Sequence, residues 1–551
     1  MSVPCGCDAR GERVVVRIGH YYQVQSRAEI SFKGGVFQAM VTEEGRDWAA
    51  TLRAYRHPKV LVMLFFGFSA GLPLLLIFST LSLWLREADI DRSTVTYFSW
   101  AALGYSFKFI WAPLVDRLPL PLLTALLGRR RGWLLLAQLS VIGAISWMAF
   151  TDPAENLHMM AFAAVLLGFS GATQDIVIDA YRIESAEREL QALMASMYIA
   201  GYRVGMLVAG AGSLKLAVWF GAEGGYNYSA WQWTYLCMAA VMSIGLITTL
   251  LVSEPKVESG RPVLFHDAFD YLRFLLLFLL AVSVFAAVFF LSADRVAAAK
   301  ADWAAALPQD SLLIGFGLEG GRLLLAVLLA GLAARLGVAL GLVRAAVLRE
   351  TYLEPVADFF RRYGRVALLV LALVGLYRVS DIVLGVISNV FYQDMGFSKD
   401  QIADITKTFG LVMTILGGFL GGMLTLRYGV MRILFVGALL SAGTNLLFLL
   451  LARSGADVSL LILVITADNL SAGLAGAAFV AYLSGLTHVA FTAFQYALFS
   501  SLMTLVPKLL GGYSGSLVDA FGYERFFLFT AVLGLPVLLL IYLASRYAAA
   551  E

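Results

Sequence analysis

Residues 60–84 read V-L-V-M-L-F-F-G-F-S-A-G-L-P-L-L-L-I-F-S-T-L-S-L-W and contain no charged side chain. A helix of about 20 apolar residues is long enough to cross the roughly 30 Å hydrocarbon core of a bilayer. The rest of the chain has the same character: 60% of its 551 residues are hydrophobic and only 14% are charged. So little polar surface cannot cover a water-soluble globule, and we therefore predict an all-α membrane protein.

Apolar segments of this length recur along the chain, and they fall into groups of six, two and six. We predict about fourteen spans, near residues 60–84, 94–114, 133–151, 158–181, 192–217, 231–252, 271–292, 312–343, 366–391, 402–425, 430–452, 458–485, 489–512 and 523–545. The predicted units are a tail (1–56), a six-helix bundle (57–252), a connector with two extra transmembrane helices (253–365), a second six-helix bundle (366–545) and a tail (546–551). Residues 1–39 contain no span or signal segment, and they are either a mis-assigned extension before Met40 or a disordered tail.

The distribution of Lys and Arg in the short loops predicts the orientation. Basic residues favour the cytoplasmic side of a membrane. The loops on one predicted side are rich in them, with Arg129, Arg130 and Arg131 as the densest group, whereas the loops at 152–157 and 221–230 have none. This bias places both termini in the cytoplasm.

Two loops share a charged pattern. The first reads A-P-L-V-D-R (112–117) and then G-R-R-R-G-W (128–133), and the second reads G-M-L-T-L-R-Y-G-V-M-R (422–432). Both resemble the major facilitator loop pattern G-x-L-x-D-R-x-G-R-[RK]. An Asp and several Arg at helix ends can pair across two bundles and latch one conformation. We assign this latch to Asp116, Arg117, Arg129, Arg130, Arg131 and Arg427. Simple anchoring of positive charge explains the arginines but not Asp116, and the second loop has Leu426 where the pattern has Asp.

The fourth predicted span contains charges where charges are costly. Its sequence G-F-S-G-A-T-Q-D-I-V-I-D-A-Y-R-I-E (168–184) puts Asp175, Asp179 and Arg182 at i, i+4 and i+7, on one helical face. An ionised group at the centre of a membrane costs roughly 2.5–3.5 kcal/mol on insertion scales. Two neighbouring carboxylates repel, which makes Asp175 and Asp179 candidate proton carriers. The alternative is a structural ion pair between Asp179 and Arg182.

Further polar residues lie inside other predicted spans, and residues of both signs there indicate a polar cavity for a large zwitterionic or anionic solute. Arg203 has no local counter-ion, whereas Arg378 and Asp381 can neutralise each other. In the first span, Gly71 and Pro73 are candidates for helix bending. The candidate substrate-binding residues are Lys108, Gln174, Tyr202, Arg203, Arg378, Asp381, Asp468, Asn469, Gln495 and Lys508.

Several function classes are disfavoured. The five histidines lack metal-ligand spacing, no ATP-binding G-x-x-x-x-G-K-[ST] motif occurs, and a net charge of +3 indicates no nucleic-acid partner. We therefore expect no metal or cofactor, and transport driven by a gradient, most simply of protons. Two other classes are also disfavoured. A membrane enzyme acting on wall precursors would need a charged cluster at one interface, and a sensor would need an added soluble domain. The surrounding partner is membrane lipid, and we expect a monomer.

Seven stretches of the chain carry a more specific signal: H-P-K-V-L-V-M-L-F-F-G-F-S-A-G-L-P (57–73), F-K-F-I-W-A-P-L-V-D-R (107–117), G-R-R-R-G-W (128–133), A-T-Q-D-I-V-I-D-A (172–180), Y-R-V-S-D (377–381), D-N-L-S-A-G (468–473) and F-T-A-F-Q-Y-A-L-F-S-S-L (491–502). Together they resemble the AmpG muropeptide permeases. The resemblance covers most of 57–545. It implies a major facilitator fold with an extra helix pair, located in the bacterial inner membrane.

The implied function is import of N-acetylglucosaminyl-1,6-anhydro-N-acetylmuramyl peptides by proton symport for cell-wall recycling, linked in some bacteria to β-lactamase induction. The chain departs from the family pattern at Arg378, where the family usually has Lys, and at Pro507 and Lys508, where it usually has an Arg nearby. Acetyl-CoA-type carriers share a similar D-I-x-x-D-A segment, so another anionic solute remains an alternative substrate.

Overall fold

The computed structural model describes residues 48–91, 94–95, 98, 101, 103–222, 225–256, 268–306, 311–398 and 401–548. Within these ranges the regular structure is helical, and 13 helices are long and apolar enough to cross a membrane. We number these helices in chain order together with the broken helical segment at 103–117, which is α2. The labels are α1 (Pro58–Glu87), α2 (103–117), α3 (Arg129–Ala149), α4 (Leu157–Ser185), α5 (Arg188–Ala222), α6 (Tyr228–Leu251), α7 (Phe269–Trp303), α8 (Gly317–Ala339), α9 (Ala345–Asp394), α10 (Ile402–Tyr428), α11 (Val430–Ser454), α12 (Val458–Leu486), α13 (Val489–Gly511) and α14 (Ser514–Arg546).

The prediction of an all-helical membrane protein is confirmed. The 13 helices correspond to 13 of the predicted spans. The remaining predicted span, 94–114, lies partly outside the described residues, and its described part consists of Leu103–Phe107, Lys108–Ile110 and Ala112–Arg117. The prediction about residues 1–39 and Met40 lies outside the described residues as well, as does the connector at 257–267.

Each six-helix half contains its own apolar core. In the first half (α1–α6), Trp84 stacks on Trp231 with ring centroids 5.7 Å apart. In the second half (α9–α14), Phe391 contacts Phe527 at 4.8 Å within a cluster of aromatic rings. A third cluster contains Leu426 and Ala493 from the second half together with residues of the first half and of α7. Each half is therefore a packing unit with its own core, and the third cluster joins the two.

Glycines set the distance between the principal helix pairs. A Cβ atom at Gly67 would overlap the carbonyl oxygen of Tyr198, and one at Gly201 would overlap that of Leu64, so α1 and α5 pack backbone against backbone. Within a membrane the hydrophobic effect does not drive helices together, because lipid tails are as apolar as the side chains. Helices associate there through close packing, which small residues allow. Gly71, predicted to assist bending, also lies in this contact, against the carbonyl of Tyr202. The helix continues through Pro73 and breaks at Phe78.

The extra pair, α7 and α8, packs against the first half at α2. The ring centroid of Phe285 lies 5.4 Å from that of Phe107. Arg322 of α8 lies over the ring of Phe289, with its guanidinium carbon 4.0 Å from the centroid, and it pairs with Glu319. After α8 the chain forms a short amphipathic segment of α9, Glu354–Tyr363, which we call the connector helix, before α9 enters the second half.

Candidate functional site

The carboxylates of α4 form a buried ionic cluster. Asp179 pairs with Arg182 on its own helix at 3.2 Å and with Lys108 of α2 at 3.7 Å. Asp175 lies one turn away and is also buried. Buried charges need partners, and Lys108 and Arg182 are the cationic partners of Asp179. Asp175 is the second carboxylate of the cluster. Lys108, which we predicted to bind substrate, is the partner of Asp179 in this conformation.

Tyrosines surround these carboxylates. The Tyr198 hydroxyl donates to Asp175 at 3.3 Å, and Tyr105 and Tyr202 are near enough to interact electrostatically with it. The buried Tyr105 hydroxyl has no hydrogen-bond partner among the described residues. Tyr496 of the second half faces Arg182, whose guanidinium carbon is 5.1 Å from the ring centroid. Hydroxyls in these positions can donate to a carboxylate or relay a proton.

Of these tyrosines, sequence reasoning named only Tyr202. The spacing of Tyr198 and Tyr202 at i and i+4, beside Arg203, was the available signal for a second tyrosine on the same helical face. No local pattern pointed to Tyr105 or Tyr496, since their proximity to Asp175 depends on how α2 and α13 pack against α4.

A second polar cluster lies in the second half. Asp381 accepts a hydrogen bond from Ser441 and pairs with Arg378 at 3.7 Å, while Thr444 donates to Asp468 at 3.4 Å. Tyr377 stacks on Phe479 at 4.2 Å, which fixes the turn before Arg378. Arg203 of the first half interacts electrostatically with Arg378. The two halves thus present both signs of charge to the space between them.

The other predicted binding residues lie elsewhere. Gln495 donates to the carbonyl of Pro355 at 2.8 Å and to Asp358 at 3.0 Å, so it holds the connector helix. Asn469 accepts from Thr414 at 2.8 Å and joins α12 to α10. Lys508 is exposed, and we see no ion pair to it within the described residues. Both amide atoms of Gln174 are buried without a hydrogen-bond partner in the described ranges.

One end of the bundle, which we call the arginine-rich end (Arg117, Arg129, Arg130 and Arg131), is closed by contacts between the halves. Asp116 accepts hydrogen bonds from the backbone amides of Ala493 at 3.2 Å and Phe494 at 2.9 Å. These amides belong to the first turn of the α-helical part of α13, where free N–H groups and the helix dipole favour an anion. Asp116 thereby caps a helix of the other half.

The arginines around Asp116 are all engaged. Arg130, fully buried, binds Asp116 at 2.7 Å and Glu184 at 2.6 Å. Arg129 donates to the Asp116 carbonyl at 2.8 Å, and Arg131 donates to the Thr249 carbonyl at the end of α6 at 3.0 Å. Arg117 and Arg427 take part in cation–π contacts, with Phe491 at 5.2 Å and with Trp48 at 4.5 Å respectively.

Glu254 completes this end. It accepts hydrogen bonds from the backbone amides of Arg130 at 2.8 Å and Arg131 at 3.0 Å, which caps the first turn of α3. Burial raises the pKa of Glu254, while the two amide hydrogen bonds act in the opposite direction.

Further hydrogen bonds join the first half, or the segment just before it, to the second half. Arg182 donates to Ser484 of α12 at 2.8 Å. Tyr55 donates to the carbonyl of Phe419 in α10 at 2.7 Å. Arg182 therefore belongs both to the carboxylate cluster and to the contact between the halves. A change in the charge of Asp179 can alter that contact through Arg182.

Each half thus contains a cluster of charged and polar side chains. Within the described residues no group of three or more His, Cys, Asp or Glu side chains is placed to hold a metal ion. Residues 95–392 match the family profile of the Major Facilitator Superfamily. The chain belongs to this superfamily. The predicted fold, two six-helix bundles with an additional helix pair, is confirmed.

Relatives in bacteria support the same assignment. The chain is 29% identical over 491 residues to the anhydromuropeptide permease of Escherichia coli K12, covering 89% of this chain and 80% of that protein. It is 30% identical over 496 residues to an uncharacterised protein of Haemophilus influenzae, covering 88% and 94%. It is 29% identical over 481 residues to the AmpG 4 transporter of Rickettsia conorii, covering 87% and 95%. The predicted resemblance to AmpG permeases is confirmed.

Solved structures agree on the fold. The proton:xylose symporter XylE matches with a TM-score of 0.55 at 13% identity, covering 90% of this chain and 96% of that one. FucP in its outward conformation matches with a TM-score of 0.55 at 11% identity, covering 89% and 99%. Because the family and the relatives are transporters and permeases, the chain is a multi-pass membrane transporter and not an enzyme.

Proposed function

We propose that this transporter imports anhydromuropeptides, N-acetylglucosaminyl-1,6-anhydro-N-acetylmuramyl peptides, across the bacterial inner membrane together with protons. The observation that carries the proposal is the similarity to a protein named anhydromuropeptide permease over 89% of the chain. The substrate class also suits the site, because a sugar with an acidic peptide needs cations and polar groups within one cavity. Uptake would serve cell-wall recycling, and through it β-lactamase induction in some bacteria.

The roles we assign follow from position. Arg203 and Arg378 belong to opposite halves and are near enough to repel each other, and an anionic peptide between them would relieve that repulsion. Asp175 would bind the proton, because Asp179 already has two cationic partners. Asp381 and Asp468 would receive the ammonium or amide groups of the solute.

The direction of transport rests on the predicted topology. With both termini in the cytoplasm, the arginine-rich end is cytoplasmic, and the closed contacts there make this conformation one that receives solute from the periplasm. Protonation and solute binding would weaken the Asp179–Arg182–Ser484 connection, and the halves would rock to open the arginine-rich end. We propose that one chain is sufficient for this cycle.

Uptake into proteoliposomes tests the substrate. Purified protein should accumulate a labelled anhydromuropeptide, and unlabelled anhydromuropeptide should compete, whereas acetyl-CoA should not. Competition by acetyl-CoA with no uptake of the muropeptide would assign the transporter to the second candidate, a carrier of another anionic solute. The transporter fold would stand in either case.

A further inference from the structure

A large cavity lies beside the two halves, between the helix pair α7–α8 and spans α2 and α13. Its volume is about 1440 Å³. Pockets for small molecules measure about 300–1,000 Å³, so this one suits a larger occupant. Its walls include Phe109 of α2, Phe285 of α7, Val327 of α8 and Phe494 of α13. We call it the lateral groove. It is bounded by spanning helices and touches the arginine-rich end at Arg117, but its lining contains no member of the carboxylate cluster of α4 or of the polar cluster of the second half.

Small residues on α8 create the space. Ala330, Gly331 and Ala334 lie along the wall of the lateral groove. A Cβ atom at Gly331 would meet no other atom within 4 Å, so the helix leaves open volume there. Val327, on the same wall, is 46% exposed. Since α7 and α8 are long and apolar enough to cross a membrane, the groove that they line lies at a depth where acyl chains would surround the protein.

One end of the lateral groove carries an excess of positive charge. Its charged lining residues belong to helix ends: Arg117 ends α2, Arg335 lies near the end of α8, and Arg349, Glu350 and Glu354 lie near the start of α9. The Glu354 carboxylate pairs with Arg361, outside the cavity wall, and the Glu350 charge acts on Arg117. Arg335 and Arg349 are exposed, and neither takes part in an ion pair that we see among the described residues. Two guanidinium groups therefore remain available at the end of an apolar groove.

We propose that the lateral groove binds an anionic phospholipid, with its acyl chains along α7 and α8 and its phosphate at Arg335 and Arg349. Guanidinium groups bind phosphate oxygens in a bidentate manner, and basic pockets between spanning helices are typical sites for anionic headgroups. The apolar walls match the chains, and the free arginines match the charge. The proposal does not depend on which solute is transported.

The location of the groove gives the lipid a structural role. Its walls include Phe494, whose backbone amide binds Asp116, and Arg117, the next residue after Asp116. A lipid in the groove would therefore contact both sides of the joint that closes the arginine-rich end. Loss of the lipid is expected to loosen that joint.

Quantification of bound lipid tests the charge match. The protein is purified in mild detergent from membranes containing phosphatidylethanolamine and phosphatidylglycerol, and retained lipid is measured by mass spectrometry. We expect phosphatidylglycerol to be enriched over its share in the membrane, and the double variant Arg335→Gln/Arg349→Gln to lower that enrichment about tenfold. The control Arg453→Gln/Arg525→Gln, which removes two exposed arginines elsewhere, should retain it. Equal enrichment in the double variant, equal loss in the control, or retained lipid of bulk membrane composition would each overturn the proposal.

A steric variant tests the location without changing charge. Gly331→Leu places a side chain into the lateral groove, whereas Gly321→Leu places one on the same helix, also in open space but outside the groove lining. We expect Gly331→Leu to lose phosphatidylglycerol while eluting as a folded protein with an unchanged far-UV spectrum, and Gly321→Leu to retain it. Retention by folded Gly331→Leu would show that the lipid binds elsewhere.

Discussion

Arg182 of the first half donates a hydrogen bond to Ser484 of the second half at 2.8 Å while it pairs with Asp179 on its own helix. The side chain is fully buried, so each of these partners compensates part of the cost of removing its charge from water. The same guanidinium thus connects a carboxylate at the candidate coupling site to the contact that holds the halves together. A carrier needs such a connection, because occupancy of its site must alter the balance between its open and closed states.

Ser484→Ala should favour opening of the arginine-rich end. A hydrogen bond to a charged group contributes about 1.5–3 kcal/mol, which corresponds to a shift of roughly tenfold to a hundredfold in the equilibrium between states. Glu187 of the first half and Arg432 of the second half are both exposed. Spin labels at Glu187→Cys and Arg432→Cys, in a background without native cysteines, report the distance between the halves at this end. Ser454→Ala, which removes only a bond within α11, is the control. An unchanged distance distribution for Ser484→Ala would contradict the assigned role.

Asp116→Asn should slow transport and lower thermal stability. The change removes the charge that binds Arg130 and caps α13, although Glu184 remains as a partner of Arg130. Breaking a buried ion pair costs about 3–5 kcal/mol, and the remaining carboxylate should keep the loss at or below the lower value. Initial uptake rates and the unfolding midpoint in detergent measure both effects. Asp519→Asn, at an exposed position, should change neither; a wild-type rate for Asp116→Asn would show that the contact is only incidental.

Lys108 and Asp179 should behave as one unit. Lys108→Met and Asp179→Asn each leave a buried charge with fewer partners, so each is expected to destabilise the protein. The double variant should lose less than the sum of the two, with a coupling energy of about 0.5–3 kcal/mol. Thermal unfolding of the four proteins in the double-mutant cycle provides the measurement. Strict additivity would mean that the two side chains do not interact.

Glycines at the α1–α5 contact should not tolerate side chains. Gly201→Ala would force a Cβ atom into the carbonyl of Leu64, whereas Gly143→Ala would meet no atom within 4 Å. Overpacking typically costs about 1–3 kcal/mol. We expect a lower unfolding midpoint for Gly201→Ala and a midpoint equal to or above that of the wild type for Gly143→Ala, since alanine favours helix. Equal midpoints would place the two helices farther apart than described.

Sequence reasoning recovered the features that depend on local composition. The spans follow from apolar length, and the ion pair between Asp179 and Arg182 follows from i, i+3 spacing on a helix. Contacts between distant segments did not follow. Lys108 is 71 positions from Asp179, and Tyr496 is more than 300 from Arg182, so no periodicity links them. The sequence placed Gln495 inside a predicted span. In the structure the connector helix packs against this residue, and that contact depends on tertiary packing.

The predicted latch shows the same difference between local patterns and contacts formed by distant segments. The sequence pointed to Asp116 by its spacing from the arginines, and it suggested pairing across the halves. The structure pairs Asp116 with Arg130 of its own half and with backbone amides of α13. Backbone amides carry no side-chain signature, so their role as partners could not have been identified from residue types.

Gradient-driven accumulation in proteoliposomes tests the central claim most directly. Labelled anhydromuropeptide uptake is measured with and without an inward proton gradient, for the wild type and for folded Asp175→Asn. The account predicts accumulation above equilibrium by the wild type only with the gradient, and by Asp175→Asn only equilibration or exchange. Gradient-driven accumulation by Asp175→Asn at the wild-type level would remove Asp175 from proton coupling, and uptake by the wild type that ignores the gradient would contradict symport itself.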